Sequence, residues 1–358
     1  MKVLFVIRDM FIGGAGKQLA LTASSLVERG HEVFLYTYIG NTMEHKIDNR
    51  IQYVPELAPP HNKLTEYLCT PRNIRRIVKT VAPDIVISWR ANSGCMTVLA
   101  CIGLDVKVVY SERSDPYMET SPLLKIATRI CGYSDGGVFQ TVQAQAYYKR
   151  LIKKSIVLPN PVILDNIPVD YKPLTERKHS IVWIGRLQEP QKRLDVLLKS
   201  FKYVLGVFPD MTLSIYGDGP HRDDTLSLTK QLGLTESVVF KGKTNNAIDT
   251  IKDYRLLILS SDYEGIPNVI IEAFIAGVPV VTTDCSPGGA RVLIEDGVNG
   301  FIVPIGDYKK LGRKACELIG NHTLSETFVR KSKEHLKRFD SKVIFDQWNT
   351  YLMNLVKL

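Results

Sequence analysis

Val3-Leu4-Phe5-Val6-Ile7 leads to the turn Gly13-Gly14-Ala15-Gly16-Lys17, and Glu32-Val33-Phe34-Leu35-Tyr36-Thr37-Tyr38 closes the segment. The first run is continuously apolar, the mark of a strand buried on both faces. The glycines make a tight turn, Lys17–Arg29 has helical periodicity, and Gly30 stops the helix before the second apolar strand. A strand, a crossover helix and a second strand form a βαβ unit, whose two strands run parallel.

The same alternation continues outward. Ile85–Ser88 and Lys107–Ser111 read as further strands with helical stretches between and after them, which predicts an α/β domain built on a doubly wound parallel sheet. Near Asn160 the pattern breaks. Pro159, Pro161, Pro168 and Pro173 punctuate a polar stretch that ends at Lys178. A second series then starts afresh, with strands expected at Ser180–Ile184, Leu213–Tyr216, Val238–Phe240, Leu256–Leu259, Val278–Thr282 and Gly300–Val303. Leu194–Leu205, Ile266–Ala276 and Tyr308–Leu318 are the clearest helices among them, and Thr323–Leu358 reads as two more. The expected organisation is a Rossmann-like domain over 1–165, a linker over 166–178, a second Rossmann-like domain over 179–338 and a closing helix over 339–358. Two such domains place a cleft at the C-terminal edges of their strands.

The totals agree with two domains. A chain of 358 residues exceeds one ordinary core, and its 45% hydrophobic and 23% charged content is that of a globular protein. No apolar run approaches the ~20 residues that span a bilayer. The best stretch, Cys95–Val109, carries Asp105 and Lys107, and Lys2–Ile7 is cut by Arg8 and Asp9 too early for a secretory signal. A cytoplasmic protein is the expectation. The six cysteines form no CxxC pair and no metal-ligand cluster, which predicts scattered thiols. The net charge of +9 is uneven: residues 1–165 hold 20 basic and 14 acidic side chains, against 26 and 23 in the rest. Phosphorylated substrates, anionic lipid and nucleic acid would each suit that excess. With no recognition helix, zinc finger or aromatic RNA-binding motif, nucleic acid is set aside.

The chemistry concentrates in Glu264-Gly265-Ile266-Pro267-Asn268-Val269-Ile270-Ile271-Glu272. Strand Leu256–Leu259 ends in the polar turn Ser260-Ser261-Asp262, Pro267 suits a helix's first turn, and Gly277 stops that helix. The amides near Gly265 and Ile266 then lie at a helix N-terminus, a natural seat for phosphate or sugar oxygens. Glu264 precedes the helix and Glu272 lies inside it; both carboxylates suit vicinal hydroxyls. Taken alone, the pair reads equally well as a dipole-favouring acid and a solvated surface charge. Gly185-Arg186-Leu187, with Gln191-Lys192-Arg193 opening the next helix, adds two cations where a helix start disfavours them, an arrangement suited to a diphosphate leaving group. Tyr216-Gly217-Asp218-Gly219-Pro220 and Phe240-Lys241-Gly242 make two further strand-end turns.

Together these features resemble glycosyltransferase family 4, a large group of retaining enzymes of the GT-B architecture. The match runs in order over essentially the whole chain: Gly13-Gly14, Gly185-Arg186-Leu187 with Lys192, Gly217-Asp218-Gly219, and glutamates eight apart. Asp284-Cys285-Ser286-Pro287-Gly288-Gly289 and Asn299-Gly300-Phe301-Ile302-Val303 resemble the family's later loop and strand. The Gln191-Lys192-Arg193 and Ser111-Glu112-Arg113-Ser114-Asp115-Pro116 regions look like bacterial polysaccharide and oligosaccharide-assembly enzymes.

The resemblance implies roles. Arg186 and Lys192 would bind the donor diphosphate, Glu272 the ribose hydroxyls, and Glu264 with Gly265, Ile266, Asn268 and Val269 the transferred sugar. Lys241 and Gly242 would flank the base near Gly217, while Gly13, Gly14 and Gly16 would approach donor phosphate or acceptor. Glu264, Arg186 and Lys192 are the expected catalytic group. The implied donor is a nucleotide-sugar, UDP-linked hexose or N-acetylhexosamine foremost. The implied acceptor is a glycan or an undecaprenyl-diphosphate-linked chain in cell-surface polysaccharide assembly, with an anionic membrane surface as a further partner and a peripheral place at the membrane's inner face. No metal and no other cofactor is expected, and the sequence has no Asp-x-Asp. The stretch Lys342–Val356 would pack back on the first domain through Phe345, Trp348, Tyr351, Leu352 and Leu355.

One departure stands out. Where many relatives carry a first-domain histidine, Arg113 follows Val108–Glu112. Arginine is no base but can bind a sugar hydroxyl or a phosphate. In retaining enzymes of this kind the departing phosphate is thought to take the acceptor proton.

Other readings fit less well. A P-loop needs glycine where Phe11 sits and Ser or Thr where Gln18 sits; the dinucleotide fingerprint needs glycine at Leu19 and an acid closing the second strand. A GT-B-fold nucleotide-sugar epimerase and an inactive nucleotide-sugar-binding subunit are the alternatives; the Glu264/Glu272 motif weighs against the first, and the intact Arg186, Lys192, Glu264 and Glu272 against the second. Two basic clusters remain: Arg72, Arg75, Arg76 and Lys79 beside Ile74, Ile77 and Val78, and Lys149, Arg150, Lys153 and Lys154 after Tyr147 and Tyr148. Either is an ordinary solvated face or a docking patch for anionic lipid.

Overall fold

The strands expected above all form, in two parallel sheets, in the computed structural model, which describes residues 1–10, 13–39, 47–54, 63–118 and 121–357. The chain divides into two units, Met1–Pro161 with Ser341–Leu358, and Val162–Asp340. The divisions fall at Pro161 and Asp340, a few residues from those expected at 165 and 338. Residues 166–178 belong to the second unit rather than standing apart, because Tyr171 lies flat against Gly277 and Arg177 is buried.

The first unit is wound from β1 (Lys2–Ile7), α1 (Gly14–Glu28), β2 (Glu32–Thr37), β3 (Gln52–Val54), α2 (Lys63–Val81) and β4 (Ile85–Trp89). It continues through α3 (Ala91–Cys101), β5 (Lys107–Ser111), α4 (Pro122–Cys131), β6 (Gly136–Phe139), α5 (Val142–Tyr148) and β7 (Ser155–Val157). Every strand pair is parallel, and the order is β3-β2-β1-β4-β5-β6-β7. The winding reverses between β1 and β4, so the carboxyl ends of those two strands open a crevice, the usual ligand seat of a doubly wound sheet. Ile74, Ile77 and Val78 of α2 are buried against this sheet with Leu4, Val6 and Phe34. They are core, so they are not free to enter a membrane. Arg75 is committed as well: its Nη1 donates to the carbonyls of Ala100 and Ile102 at 2.9 and 2.8 Å, capping α3.

The last helix, α13 (Ser341–Val356), belongs to this unit. Trp348 stacks on Trp89 with ring centroids 6.0 Å apart, Arg29 pairs with Asp346, and Tyr351 Oη lies 2.9 Å from the Lys154 carbonyl. Its buried Ile344, Phe345, Trp348, Leu352 and Leu355 form one stripe at helical spacing.

The second unit repeats the design. Its strands are β8 (Lys178–Ile184), β9 (Thr212–Tyr216), β10 (Val238–Gly242), β11 (Tyr254–Leu259), β12 (Val280–Thr283) and β13 (Phe301–Val303). The helices are α6 (Leu194–Leu205), α7 (Arg222–Gln231), α8 (Ala247–Ile251), α9 (Asn268–Ile275), α10 (Gly289–Leu293), α11 (Tyr308–Gly320) and α12 (His322–Leu336). The order is β10-β9-β8-β11-β12-β13, all parallel, with the reversal between β8 and β11.

Helix α9 starts two residues later than its periodicity suggested. Pro267 is the capping residue, with extended backbone (φ −71°, ψ 102°), not a first-turn residue. The helix ends in a Schellman motif: Gly277 takes φ +66°, its N–H reaches Phe274 O, and Val278 N–H reaches Ala273 O at 2.8 Å. That second bond holds Val278 in the cap, so β12 begins at Val280 rather than at Val278.

Candidate active site

Three strand-end turns of the second unit lock together, and glycine is what allows it. Gly185 N–H donates to Tyr216 O at 3.0 Å, Leu187 N–H to Asp218 O at 3.1 Å, and Gly217 N–H to Gly242 O at 2.7 Å. Gly217 has φ +137°, and a Cβ there would fall 1.8 Å from Gly185 O. No other residue fits. Arg186 projects from this lattice into solvent, with no ion-pair partner among the described residues, and Lys241 is exposed at the end of β10.

The segment between β8 and α6 is then stitched to the turn after β11. Asp262 N–H donates to Gln191 O at 2.9 Å, Ser260 Oγ to Lys192 O at 2.7 Å, and Gln191 Nε2 to Tyr263 O at 3.1 Å. Arg193, in the left-handed region at φ 46°, reaches Asp262 at 3.0 Å and Asp195 at 2.9 Å. The carboxylates raise its pKa, Asp195 foremost, so the cation is permanent. Held by these bonds, Lys192 Nζ pairs directly with Glu264 Oε1, with side-chain exposures of only 14% and 13%. Ser261 Oγ donates to the same oxygen at 2.8 Å, and Glu264 Oε2 has no donor among the described residues.

The loop after β12 backs this pair. Ser286 O accepts from Glu264 N–H at 2.8 Å, and a Cβ at Gly289 would fall 1.6 Å from Gly265 O. Burial first, then the Glu264 carboxylate, pushes the Cys285 thiol up to about 12, so it stays protonated and inert. Gly265 and Ile266 are buried in the turn, Asn268, Val269 and Glu272 are half-buried on α9, and Glu272 sits one turn past the helix start. The switch point of this sheet thus brings together Arg186, Lys192, Gly217, Gly242, Glu264 and Gly265. A cavity of about 600 Å³ in the same unit, lined by Arg291, Lys310, His335 and Arg338 among others, contains neither Lys192 nor Glu264. No metal-ligating cluster occurs among the described residues.

In the first unit, Gly13 caps α1 with extended backbone, Gly14 is half-buried and Gly16 buried. Trp89, at the end of β4, donates from Nε1 to Ala15 O at 3.1 Å, tying this turn to the β1–β4 switch point. Arg113 does not stand free. Its guanidinium lies 4.1 Å over Trp89 and 5.6 Å from the Trp348 ring centre, and Nε donates to Ser111 Oγ at 3.0 Å. Burial lowers its pKa to about 9, leaving it charged at neutral pH. Behind it Glu112, buried, accepts from the Tyr110 and Tyr148 hydroxyls and from the Arg113 and Ser114 amides. Arg90, exposed at φ 76°, adds a cation at the end of β4.

Sequence reading passed over Trp89, Glu112, Gln191, Ser261 and Asp262. Glu112 stood within a quoted motif and Ser261-Asp262 within a quoted turn, but their partners lie far along the chain.

Comparison with known proteins follows the same division. Residues 12–166 match the family described as Glycosyltransferase Family 4, and residues 178–321 the family described as Glycosyl transferases group 1. The chain is 25% identical to an uncharacterized glycosyltransferase of Haemophilus influenzae, covering 98% of this chain and 99% of that one. It is 23% identical, over 97% of each, to the Campylobacter jejuni GalNAc-alpha-(1->4)-GalNAc-alpha-(1->3)-diNAcBac-PP-undecaprenol alpha-1,4-N-acetyl-D-galactosaminyltransferase. Among solved structures, Anabaena HepE in complex with UDP and glucose superposes with a TM-score of 0.83 at 18% identity, over 99% of both chains.

Proposed function

Since the chain belongs to the family 4 type of glycosyltransferase, with the GT-B fold, we propose that it moves a hexose or N-acetylhexosamine from a UDP-sugar, with retention, onto a glycan or lipid-diphosphate-linked acceptor. The coarser statement, a glycosyltransferase of polysaccharide and lipid-linked glycan assembly, has the support of the two family matches and of the Campylobacter relative. UDP as the carrier is supported by the ligands of HepE, and a lipid-linked acceptor by the undecaprenol in the Campylobacter enzyme's name.

The observation that carries the proposal is the Lys192–Glu264 pair, largely withdrawn from water at the switch point of the second sheet. In transfer, the bond between the anomeric carbon and the diphosphate oxygen breaks, and a bond from the acceptor oxygen to the same carbon forms. Negative charge builds on the departing diphosphate. Lys192, with N–H bonds to spare beyond Glu264, and the solvent-facing Arg186 supply the countercharge, and a fixed cation in a dry site stabilises such charge far better than water does. Glu264, whose Oε2 has no donor among the described residues, accepts from a hydroxyl of the transferred sugar, and Glu272 from the ribose. The acceptor proton passes to the leaving diphosphate oxygen, so no protein base is needed. The reaction takes place without a metal.

Incubation with UDP-, GDP- and ADP-sugars tests the donor. Only UDP compounds should raise the melting temperature, since a ligand at 100 times its Kd stabilises by about 2.7 kcal/mol. NMR of the first product formed should show the anomeric configuration of the donor. Inversion, or stabilisation by GDP or ADP alone, would overturn the reading.

A further inference from the structure

We propose that Arg90 and Arg113, at the ends of two neighbouring strands of the first unit, hold an anionic group on the acceptor, a carboxylate or a phosphate, so that the enzyme selects a charged glycan over a neutral one. This acceptor chemistry rests on the transferase reading above. The sequence pointed to Arg113 alone, for a hydroxyl or a phosphate, and assigned Arg90 no role.

Arg90 closes β4 with its backbone at φ 76° and ψ 158°, a region that is essentially glycine's own. Arg193, by contrast, lies at φ 46° and ψ 55°, the ordinary left-handed region. Two bonds pin Arg90 there: its N–H donates to Ser111 O at 3.0 Å, and its carbonyl accepts from Gly94 N–H at 2.9 Å. The side chain so placed is exposed and in no ion pair among the described residues. Glycine would relieve the strain, so what an arginine supplies at this point is its charge.

The register brings a second cation beside it. Trp89 is paired with Ser111 across β4 and β5, strands about 4.8 Å apart, so Arg90 and Arg113 leave the same edge of the sheet. The Arg113 guanidinium reaches back to lie 4.1 Å over the ring of Trp89, the residue before Arg90. Its Nε donates to Ser111 Oγ, while Nη1 and Nη2 have no acceptor among the described residues. The carboxylate next to it is already filled, since Glu112 accepts from two tyrosine hydroxyls and two amides. Arg8, at the end of β1, shows the other outcome: it pairs with Glu66 at 3.3 Å and with Asp9 at 3.6 Å. Carboxylates and phosphates match the guanidinium fork bidentately, which a lone hydroxyl does not. Asn92, two residues beyond Arg90, keeps its Oδ1 buried with no donor among the described residues, and a sugar hydroxyl would supply one. A glycan that carries both an anion and hydroxyls satisfies all three side chains.

Titration of the full chain without donor, followed by saturation-transfer NMR, tests this with methyl β-glucuronide, glucose 6-phosphate and methyl β-glucoside. At least one of the two anions should bind roughly tenfold or more tighter than the glucoside, and the tighter one tells whether a carboxylate or a phosphate is read. Arg90→Gln and Arg113→Gln should each weaken that binding about tenfold, and Arg113→Lys should recover only part, having charge without the fork. Arg90→Gly should lose as much as Arg90→Gln with no fall in melting temperature, an outcome that a merely structural arginine would not give. No binding of either anion, equal binding of the glucoside, or full affinity in both Gln variants would overturn the proposal. So would a loss of anion binding in Arg186→Ala alone, which would place the anion in the second unit. Anion binding intact in a chain that turns over no UDP-sugar would instead count against the proposed function.

Discussion

Lys192 and Glu264 differ from Arg186 in one respect that mutation can read, namely exposure. Arg186 is exposed and in no ion pair among the described residues, so on the proposed reading its removal takes away countercharge and little else. Arg186→Ala should slow turnover roughly 10²–10³-fold while shifting stability by no more than about 0.5 kcal/mol. Lys192→Ala should slow turnover comparably, but it also strands a carboxylate that is only 13% exposed. The expected cost is about 3 kcal/mol in denaturant unfolding, and Glu264→Gln on top of Lys192→Ala should recover part of it. Equal stability of both single variants would show that the pair carries no buried charge. Arg113 teaches the opposite lesson. Its type and place suggested a sugar or phosphate ligand, but nothing in the sequence told that its guanidinium covers Trp89 beside Trp348. A residue 235 positions away closes that slot, and no local pattern announces it.

Helices and strands were legible where periodicity had room to show. The six strands expected in the second unit all form: four have parallel neighbours on both sides, and β10 and β13 close the two edges. The short strands β3, β6 and β7, with two apolar residues each, give too little pattern to read and were not foreseen. Leu123 and Ile126 had the spacing of core residues, and only the structure separates them from Ile74 and Ile77. Of the candidate site, the glycine turns and the paired acids could be read locally; the Lys192–Glu264 contact, 72 residues apart, depended on the β8–β11 reversal. Two predictions belong to this scale. Trp348→Ala should destabilise by about 3–5 kcal/mol, since it empties a stacked site at 1% exposure that joins α13 to β4; a thermal melt within a degree of wild type would contradict the packing. Gly289→Ala must displace Gly265, so both stability and turnover should fall, by about 1–3 kcal/mol in the former.

At the scale of the molecule, the two sheets share one logic, with functional candidates gathered where strand order reverses. Among the described residues no helix is long and apolar enough to cross a membrane. The reaction proposed for this chain places its countercharge on side chains, and turnover should therefore survive excess EDTA. Loss on chelation, restored by Mg²⁺ or Mn²⁺, would refute that. The most direct test of the whole account is the rate of UDP release from the UDP-sugar that the stability screen selects, with acceptor or with water, for wild type, Arg186→Ala and Lys192→Ala. Wild type should release UDP, and each variant should lose roughly 10²–10³-fold in rate. Release at near wild-type rates from both would contradict it.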